Sequence, residues 1–104
     1  MAIKKADRKD IAAVLPEEFD LDAFESFGVV SRYGWKVIEI GGVKRLSTAT
    51  ESDYREVLAA MREQGLTVDD SGICYASGAA GCQGGPCYCH LWLDPKRNIW
   101  ICSC

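Results

Sequence analysis

The chain has 104 residues, of which 48% are hydrophobic and 26% are charged, and its net charge at pH 7 is −3. This length and composition predict one globular domain over residues 1–104, and the acidic balance argues against a nucleic-acid partner. No apolar run approaches the roughly 20 residues that a membrane-spanning helix needs, so we expect no membrane partner either.

The first part of the chain, residues 1–28, is predicted to hold two short helices. Lys4–Leu15 presents apolar residues at helical spacing and is followed by a proline. Leu21–Phe27 follows Asp20, a residue type that caps helix N-termini, and precedes Gly28, which suits a helix C-terminus. The charged N-terminus lacks the apolar core and cleavage site of a secretory signal, so we expect a cytoplasmic, reducing compartment.

The middle part, residues 29–70, is predicted to form a hairpin and a helix. A Gly-Gly pair lies between Trp35–Ile40 and Val43–Leu46 and suits a tight hairpin turn. Such a turn would place Ile40 opposite Val43, which sets the register of the two strands. Glu51–Gln64 has apolar residues at helical spacing, and either of two preceding threonines could cap this amphipathic helix. Weaker strand signals cover Val29–Tyr33 and Leu66–Val68.

The last part, residues 71–104, is predicted to be a Gly/Cys-rich loop, Ser71–Pro86, followed by a second hairpin. Aromatic and aliphatic residues in Cys87–Leu93 and Ile99–Cys104 are strand signals, and Pro95–Asn98 suits the turn between them. That turn would pair Leu93 with Trp100, Leu91 with Cys102 and Cys89 with Cys104. Together the three parts predict an α+β fold, a small single domain with short N-terminal helices, a β-hairpin, one amphipathic helix and a Cys-rich C-terminal β-hairpin.

All six cysteines lie between residues 74 and 104. In a reducing compartment, such a cluster more often binds a metal or acts in redox chemistry than forms a static disulfide framework. Side chains alternate along a strand, so the hairpin thiols should share one face, where four of them can bind Zn²⁺ or an iron–sulfur cluster. The predicted metal ligands are Cys87, Cys89, Cys102 and Cys104, with Cys74 and Cys82 as replacements brought in by the loop.

Three other interpretations of the cysteines are open. Their even number permits disulfides, which would suit a secreted or host-interacting protein whose signal segment has been removed. A ribosomally made precursor peptide would have a folded leader and a Cys-rich product released after Gly84-Gly85. A thiol redox enzyme would need an activated thiol, and no Cys-x2-Cys motif opens a helix here. We therefore expect a non-catalytic metal-binding domain that acts as a protein-interaction or regulatory module, with no catalytic residues and with a protein partner.

Overall fold

The α+β fold predicted from the sequence is confirmed by a computed structural model, which describes residues 2–69, 74–78, 81–85 and 88–104. The helices of this described part are α1 (Arg8–Val14), α2 (Leu21–Phe27) and α3 (Glu51–Glu63). Its strands are β1 (Lys4–Lys5), β2 (Val30–Ser31), β3 (Trp35–Ile40), β4 (Val43–Thr48), β5 (Tyr75–Ser77), β6 (Gly81–Gln83), β7 (His90–Asp94) and β8 (Ile99–Ser103). None of the described helices is long and apolar enough to cross a membrane.

The C-terminal hairpin lies inside the larger of two antiparallel sheets. The five-stranded sheet has the order β1-β7-β8-β3-β4, and a three-stranded sheet has the order β2-β5-β6. The predicted register of the C-terminal hairpin is confirmed, because Leu93 opposes Trp100 and Leu91 opposes Cys102. In its turn, Asn98 has a φ of 54°, a left-handed conformation that asparagine tolerates better than most residues. Because β7 and β8 have neighbours on both sides, this hairpin holds the large sheet together.

The β3–β4 hairpin also has its predicted register, with Ile40 opposite Val43 across the Gly-Gly turn. Its first strand joins the C-terminal hairpin, since Trp35 of β3 opposes Trp100 of β8. Gly34 makes this junction possible, because a Cβ atom at that position would overlap the carbonyl oxygen of Trp100. Gly34 also has a φ of 97°, which side-chain-bearing residues rarely adopt.

The two faces of the five-stranded sheet cover two separate apolar cores. The helix-side core, where α3 lies against β8, consists of Ile3, Ala49, Val57, Leu58, Met61, Trp92, Ile99 and Ile101. The cysteine-side core, which α1 and the small sheet cover, consists of Ile11, Trp35, Ala76, Leu91, Leu93, Trp100 and Cys102. Successive residues of β8 alternate between the two cores, as the alternation of side chains along a strand requires.

Helix α3 begins and ends close to its predicted bounds, and its ends are well capped. The Thr50 hydroxyl accepts a hydrogen bond from the Asp53 backbone N–H, and the Asp53 carboxylate accepts one from the Thr50 backbone N–H, which forms a capping box. At the other end, the Leu66 backbone N–H donates to the Met61 carbonyl over 3.0 Å, past Gly65 in a left-handed conformation. The same Asp53 carboxylate accepts a hydrogen bond from Lys36 of β3 over 2.8 Å, so the helix is tied to the sheet.

The N-terminal prediction is right for one helix and partly wrong for the other. Helix α2 has its predicted bounds and its predicted Asp20 cap. Helix α1 is shorter than predicted, because Asp7 forms a capping box with Asp10 and starts the helix there. The preceding Lys4–Lys5 is instead a strand, β1, which pairs with β7. Backbone pairing with an edge of the large sheet has therefore overridden the helical pattern of these residues.

Three predictions for irregular or short segments also need correction. The strand predicted at Val29–Tyr33 is only two residues long, and it joins the small sheet through β5 rather than the hairpin that follows it. Leu66–Val68 is not a strand. The predicted loop Ser71–Pro86 contains the short antiparallel strands β5 and β6. Parts of that loop, residues 71–73, 79–80 and 86, lie outside the described residues.

Candidate metal centre

The small sheet presents two cysteines to the cysteine-side core. In the β5–β6 ladder, Ala76 opposes Cys82, and Ala76 is fully buried. Residues that oppose each other in a ladder, and residues two apart along a strand, share a face. Cys82 therefore faces inward with Ala76, and so does Cys74, which lies two residues before Ala76. Both cysteines are half-buried against the cysteine-side core.

Two disulfides join the small sheet to the C-terminal hairpin. Cys74 is bonded to Cys89, which lies just before β7, with 6.7 Å between their Cα atoms. Cys82 is bonded to Cys102, which lies within β8, with 5.7 Å between their Cα atoms. The first bridge joins the residues that directly precede β5 and β7, and the second joins β6 of the small sheet to β8 of the large sheet. The two sheets are thus cross-linked at two points on the face that holds the cysteine-side core.

A third sulfur lies beside the first of these bridges. Cys104 directly follows β8, and its Sγ is 3.5 Å from the Sγ of Cys89. These two residues are one step beyond the last ladder pair, His90 with Ser103, which agrees with the predicted opposition of Cys89 and Cys104. The sulfurs of Cys74, Cys89 and Cys104 all lie within 4.8 Å of one another, and we call this group the sulfur cluster.

The sulfur cluster lies at a partly open end of the hairpin. All three of its residues are half-buried, whereas Cys102 of the other bridge is only 3% exposed. Tyr88, next to Cys89, is 92% exposed, and His90 on the other side of Cys89 is exposed as well. The cluster can therefore be reached from solvent, but the sulfur of Cys102 lies in the core.

The spacing of the three sulfurs suits a shared metal ion once all three cysteines have been reduced. Zinc–sulfur bonds of about 2.3 Å in a tetrahedral site put neighbouring sulfurs about 3.8 Å apart. The observed 3.5 Å between the sulfurs of Cys89 and Cys104 is close to that spacing. None of the described cysteines is a free thiol in this structure, so metal binding requires reduction.

The structure distributes the predicted ligands differently from the set proposed on the sequence. Cys89 and Cys104 lie together, as their opposition in the hairpin predicted, and Cys74 lies with them. That these three cysteines ligate a metal stays a prediction. Cys102 lies instead in the bridge with Cys82, away from the cluster. Cys87 lies outside the described residues, so its place as a ligand stays a prediction.

Sequence reasoning missed the element that delivers Cys74 and Cys82. The glycines of the loop obscured a hairpin of two three-residue strands, and strands this short have almost no periodicity to detect. The signal that could have found it is the inward spacing of Cys74 and Ala76, two residues apart.

The chain matches no protein-family model, and it has no significant match among curated proteins or solved structures. Its function therefore has to be argued from the chemistry of the sulfur cluster.

Proposed function

We propose that this protein is a small non-catalytic domain that binds a thiolate-coordinated metal ion, Zn²⁺ in the first instance, and acts as a protein-interaction or regulatory module. The observation that carries the proposal is the convergence of Cys74, Cys89 and Cys104 from three separate segments to within 4.8 Å of one another. Zn²⁺ accepts three or four thiolates in such sites.

The metal would contribute directly to the stability of the C-terminal half. Binding requires deprotonated thiols and cross-links the segments that supply them, so its free energy becomes folding free energy. A fourth ligand would complete a closed tetrahedral site, and Cys87 is the candidate for it on the sequence. An iron–sulfur cluster is the alternative occupant, since it also takes cysteine thiolates, and its visible absorption would distinguish it from colourless zinc.

The proposed partner is another protein. Exposed aromatic side chains are common anchors of protein interfaces, and Tyr88 lies almost fully in solvent directly beside Cys89. A metal that orders the chain around Cys89 would also order this tyrosine, so metal loading and partner binding would be coupled.

A second candidate is a disulfide-stapled secreted or host-interacting protein in which the cysteines have only a structural role. The two bridges between the sheets favour it. Bridges that close loops of this size typically stabilise a fold by about 3 kcal/mol. In that case the third sulfur of the cluster would have no metal chemistry.

The topology argues against the precursor-peptide interpretation. Chain cleavage after Gly85 would leave Cys74 and Cys82 on one fragment and Cys89 and Cys102 on the other, joined by both bridges. The released segment would also contain β7 and β8, the strands inside the large sheet. Cleavage would thus break the core without freeing the product.

The experiment that separates the first two candidates is zinc stoichiometry by native mass spectrometry. The protein is reduced with a phosphine under anaerobic conditions, loaded with Zn²⁺ and freed of excess metal. We expect about one zinc per chain, and a zinc affinity at least about tenfold lower for Cys104→Ser.

The matched control is the double variant Cys82→Ala/Cys102→Ala, which removes two cysteines outside the cluster and should bind zinc like the wild type. A reduced, folded wild-type protein that takes up no zinc would leave the disulfide-stapled candidate instead.

A further inference from the structure

We propose that the outer edge of β4 is a docking site for an extended, acidic segment of a partner protein, which would add to the large sheet as a sixth strand. The site is separate from the metal centre, because the described residues that line it include no cysteine. It combines unpaired backbone groups, a groove beside the strand, and two positive charges next to an exposed apolar pair.

Strand β4 ends the strand order of the large sheet, so only one of its edges is paired. In an antiparallel pair, alternate residues direct their N–H and C=O groups toward the partner strand and away from it. Val37 of β3 opposes Leu46, and its N–H donates over 3.0 Å to the Asn98 carbonyl on the other side of β3. Leu46 and Lys44 therefore direct their N–H and C=O groups outward, where the described part of the chain gives them no backbone partner. An extended segment can bind these groups as a further strand.

A groove beside this edge leaves room for such a segment. Val43–Leu46 forms one wall, and the other wall consists of Pro16, Glu18, Phe19 and Asp20. Because consecutive residues of β4 line it, the groove lies at the edge of the strand and not over one face. The space between the walls is about 790 Å³. Four residues of a strand fill roughly 650 Å³, if each takes about 3.4 Å along the strand, 4.8 Å between strands and 10 Å between packed layers.

The two basic residues of β4 determine the charge of the segment. Lys44 and Arg45 are exposed, and neither forms an ion pair with a described residue, although Glu39 opposes Lys44 in the ladder. Side chains that oppose each other on neighbouring strands stabilise the pairing when their charges are opposite. Lys44 and Arg45 point to opposite faces of the sheet, so we expect two consecutive acidic residues in the segment.

An exposed apolar pair lies at the turn end of the same strand. Val43 opposes Ile40 of β3, and these residues are 46% and 60% exposed. An apolar residue of the segment opposite Val43 would cover part of this surface, and another would lie opposite the half-buried Leu46. The segment that fits the edge therefore has the order apolar, acidic, acidic, apolar.

A second copy of this chain fits the edge less well. Pairing of two β4 edges would bring Lys44 and Arg45 of both copies to one interface, and like charges close together oppose strand pairing. The same basic residues attract an acidic segment, so they select against one occupant and for the other. Glu18 and Asp20 add to this selection, because their wall of the groove directs the acidic side chains of the segment toward β4.

The test is binding of a short synthetic peptide with the central sequence Val-Glu-Asp-Val to the oxidised protein without added metal. Fluorescence anisotropy of the labelled peptide gives the affinity, and NMR of the backbone amides shows where the peptide binds. We expect the amide protons of Lys44 and Leu46 to become protected from hydrogen exchange on binding, because they donate to the added strand. The amide proton of Arg45 already points to β3, so its protection should stay unchanged.

The contribution of charge is tested with Lys44→Gln/Arg45→Gln, which should lower the affinity on the order of tenfold. The matched control, Lys9→Gln/Arg62→Gln, neutralises two exposed residues on α1 and α3 and should bind the peptide like the wild type. A peptide with the central sequence Val-Lys-Lys-Val should bind the wild type at least about tenfold more weakly than the acidic peptide.

The proposal is wrong if the folded protein does not bind the acidic peptide, or if it binds the acidic and the basic peptide equally well. It is also wrong if the protein is a dimer in which the amides of Lys44 and Leu46 are protected without any peptide, since a second copy then occupies the edge. None of these results depends on zinc, so a failure here leaves the metal centre to its own test.

Discussion

Residues 2–69 contain no cysteine, and they are ordered by capped helices, a six-residue hairpin ladder and the packing of α3 on the sheet. Residues 74–104 combine a long central hairpin with a small-sheet hairpin whose strands have three residues each. An isolated hairpin of that size is not stable in water. The disulfides attach this small hairpin to the C-terminal hairpin of the large sheet. A glycine-rich segment can therefore be held in a fixed position although it contains little regular secondary structure.

The two regions meet where Gly34 lies against β8, and the largest expected effect is there. In Gly34→Ala the new Cβ would overlap the Trp100 carbonyl oxygen at a φ that alanine avoids. We expect a loss of more than about 4 kcal/mol in the free energy of unfolding, or failure to fold. Urea denaturation followed by tryptophan fluorescence measures it.

The matched control is Gly41→Ala, whose φ is also positive, at 58°, but which has no atom within 4 Å of the added Cβ. It should cost only about 1–2 kcal/mol, the penalty of the left-handed backbone alone. Equal losses of unfolding free energy in the two variants would show that the close approach of Gly34 to the Trp100 carbonyl does not add to the cost of the substitution.

The second prediction concerns removal of the Cys82–Cys102 disulfide. Cys82→Ala/Cys102→Ala should lower the free energy of unfolding of the oxidised protein by about 3 kcal/mol, because the bridge closes a loop between residues 20 apart in sequence. Hydrogen exchange should show the loss at β5 and β6, while the amides of α3 keep their protection in the folded state. If the amides of α3 in the folded variant lost their protection from hydrogen exchange as much as those of β5 and β6, the two regions would not be independent.

The third prediction concerns a substitution that destabilises only the cysteine-free region, residues 2–69. Thr50→Ala removes the oxygen that accepts the Asp53 backbone N–H at the start of α3 and should cost about 1 kcal/mol. Thr50→Ser keeps that oxygen and should stay close to the wild type. The loss of stability, measured by thermal unfolding, should be the same in the oxidised and the reduced protein. A loss that differs between the two would show that the stabilities of the two regions are coupled.

The smallest effect concerns pH. The hydrogen bond from Lys36, and then that from the Thr50 backbone N–H, lower the pKa of Asp53 below its ordinary value of 3.8. A lowered carboxyl pKa contributes stability above the ordinary value, and this stability is lost as the pH falls through the folded-state pKa. The wild type should therefore exceed Asp53→Asn by about 1 kcal/mol at neutral pH. The difference should shrink as the pH falls below 3.8, and an increase on acidification would contradict the assignment.

The sequence predicted those elements whose signal is local. The register of both long hairpins follows from turn residues such as Asn98, and the caps of α2 and α3 follow from side chains within three residues of the helix start. Strand β1 could not be predicted from the sequence, because Lys4 and Lys5 form a strand only by pairing with residues almost ninety positions away. The sequence also predicted that Cys89 and Cys104 would be neighbours, because both lie on one hairpin.

The rest of the site depends on a contact between sheets. Nothing in the local sequence says that Cys74 approaches Cys89 or that Cys82 approaches Cys102, since those contacts exist only once the small sheet lies over the cysteine-side core. Sequence reasoning could thus predict the hairpin end of the cluster but not its third sulfur.

The proposed function requires the sulfurs of Cys74, Cys89 and Cys104 to share one metal ion in the reduced protein. X-ray absorption at the zinc edge tests it most directly, on reduced protein loaded with one equivalent of Zn²⁺. We expect a first shell of three or more sulfur atoms at about 2.3 Å, with one sulfur fewer in Cys104→Ser. A first shell of oxygen and nitrogen atoms at about 2.0–2.1 Å would contradict it.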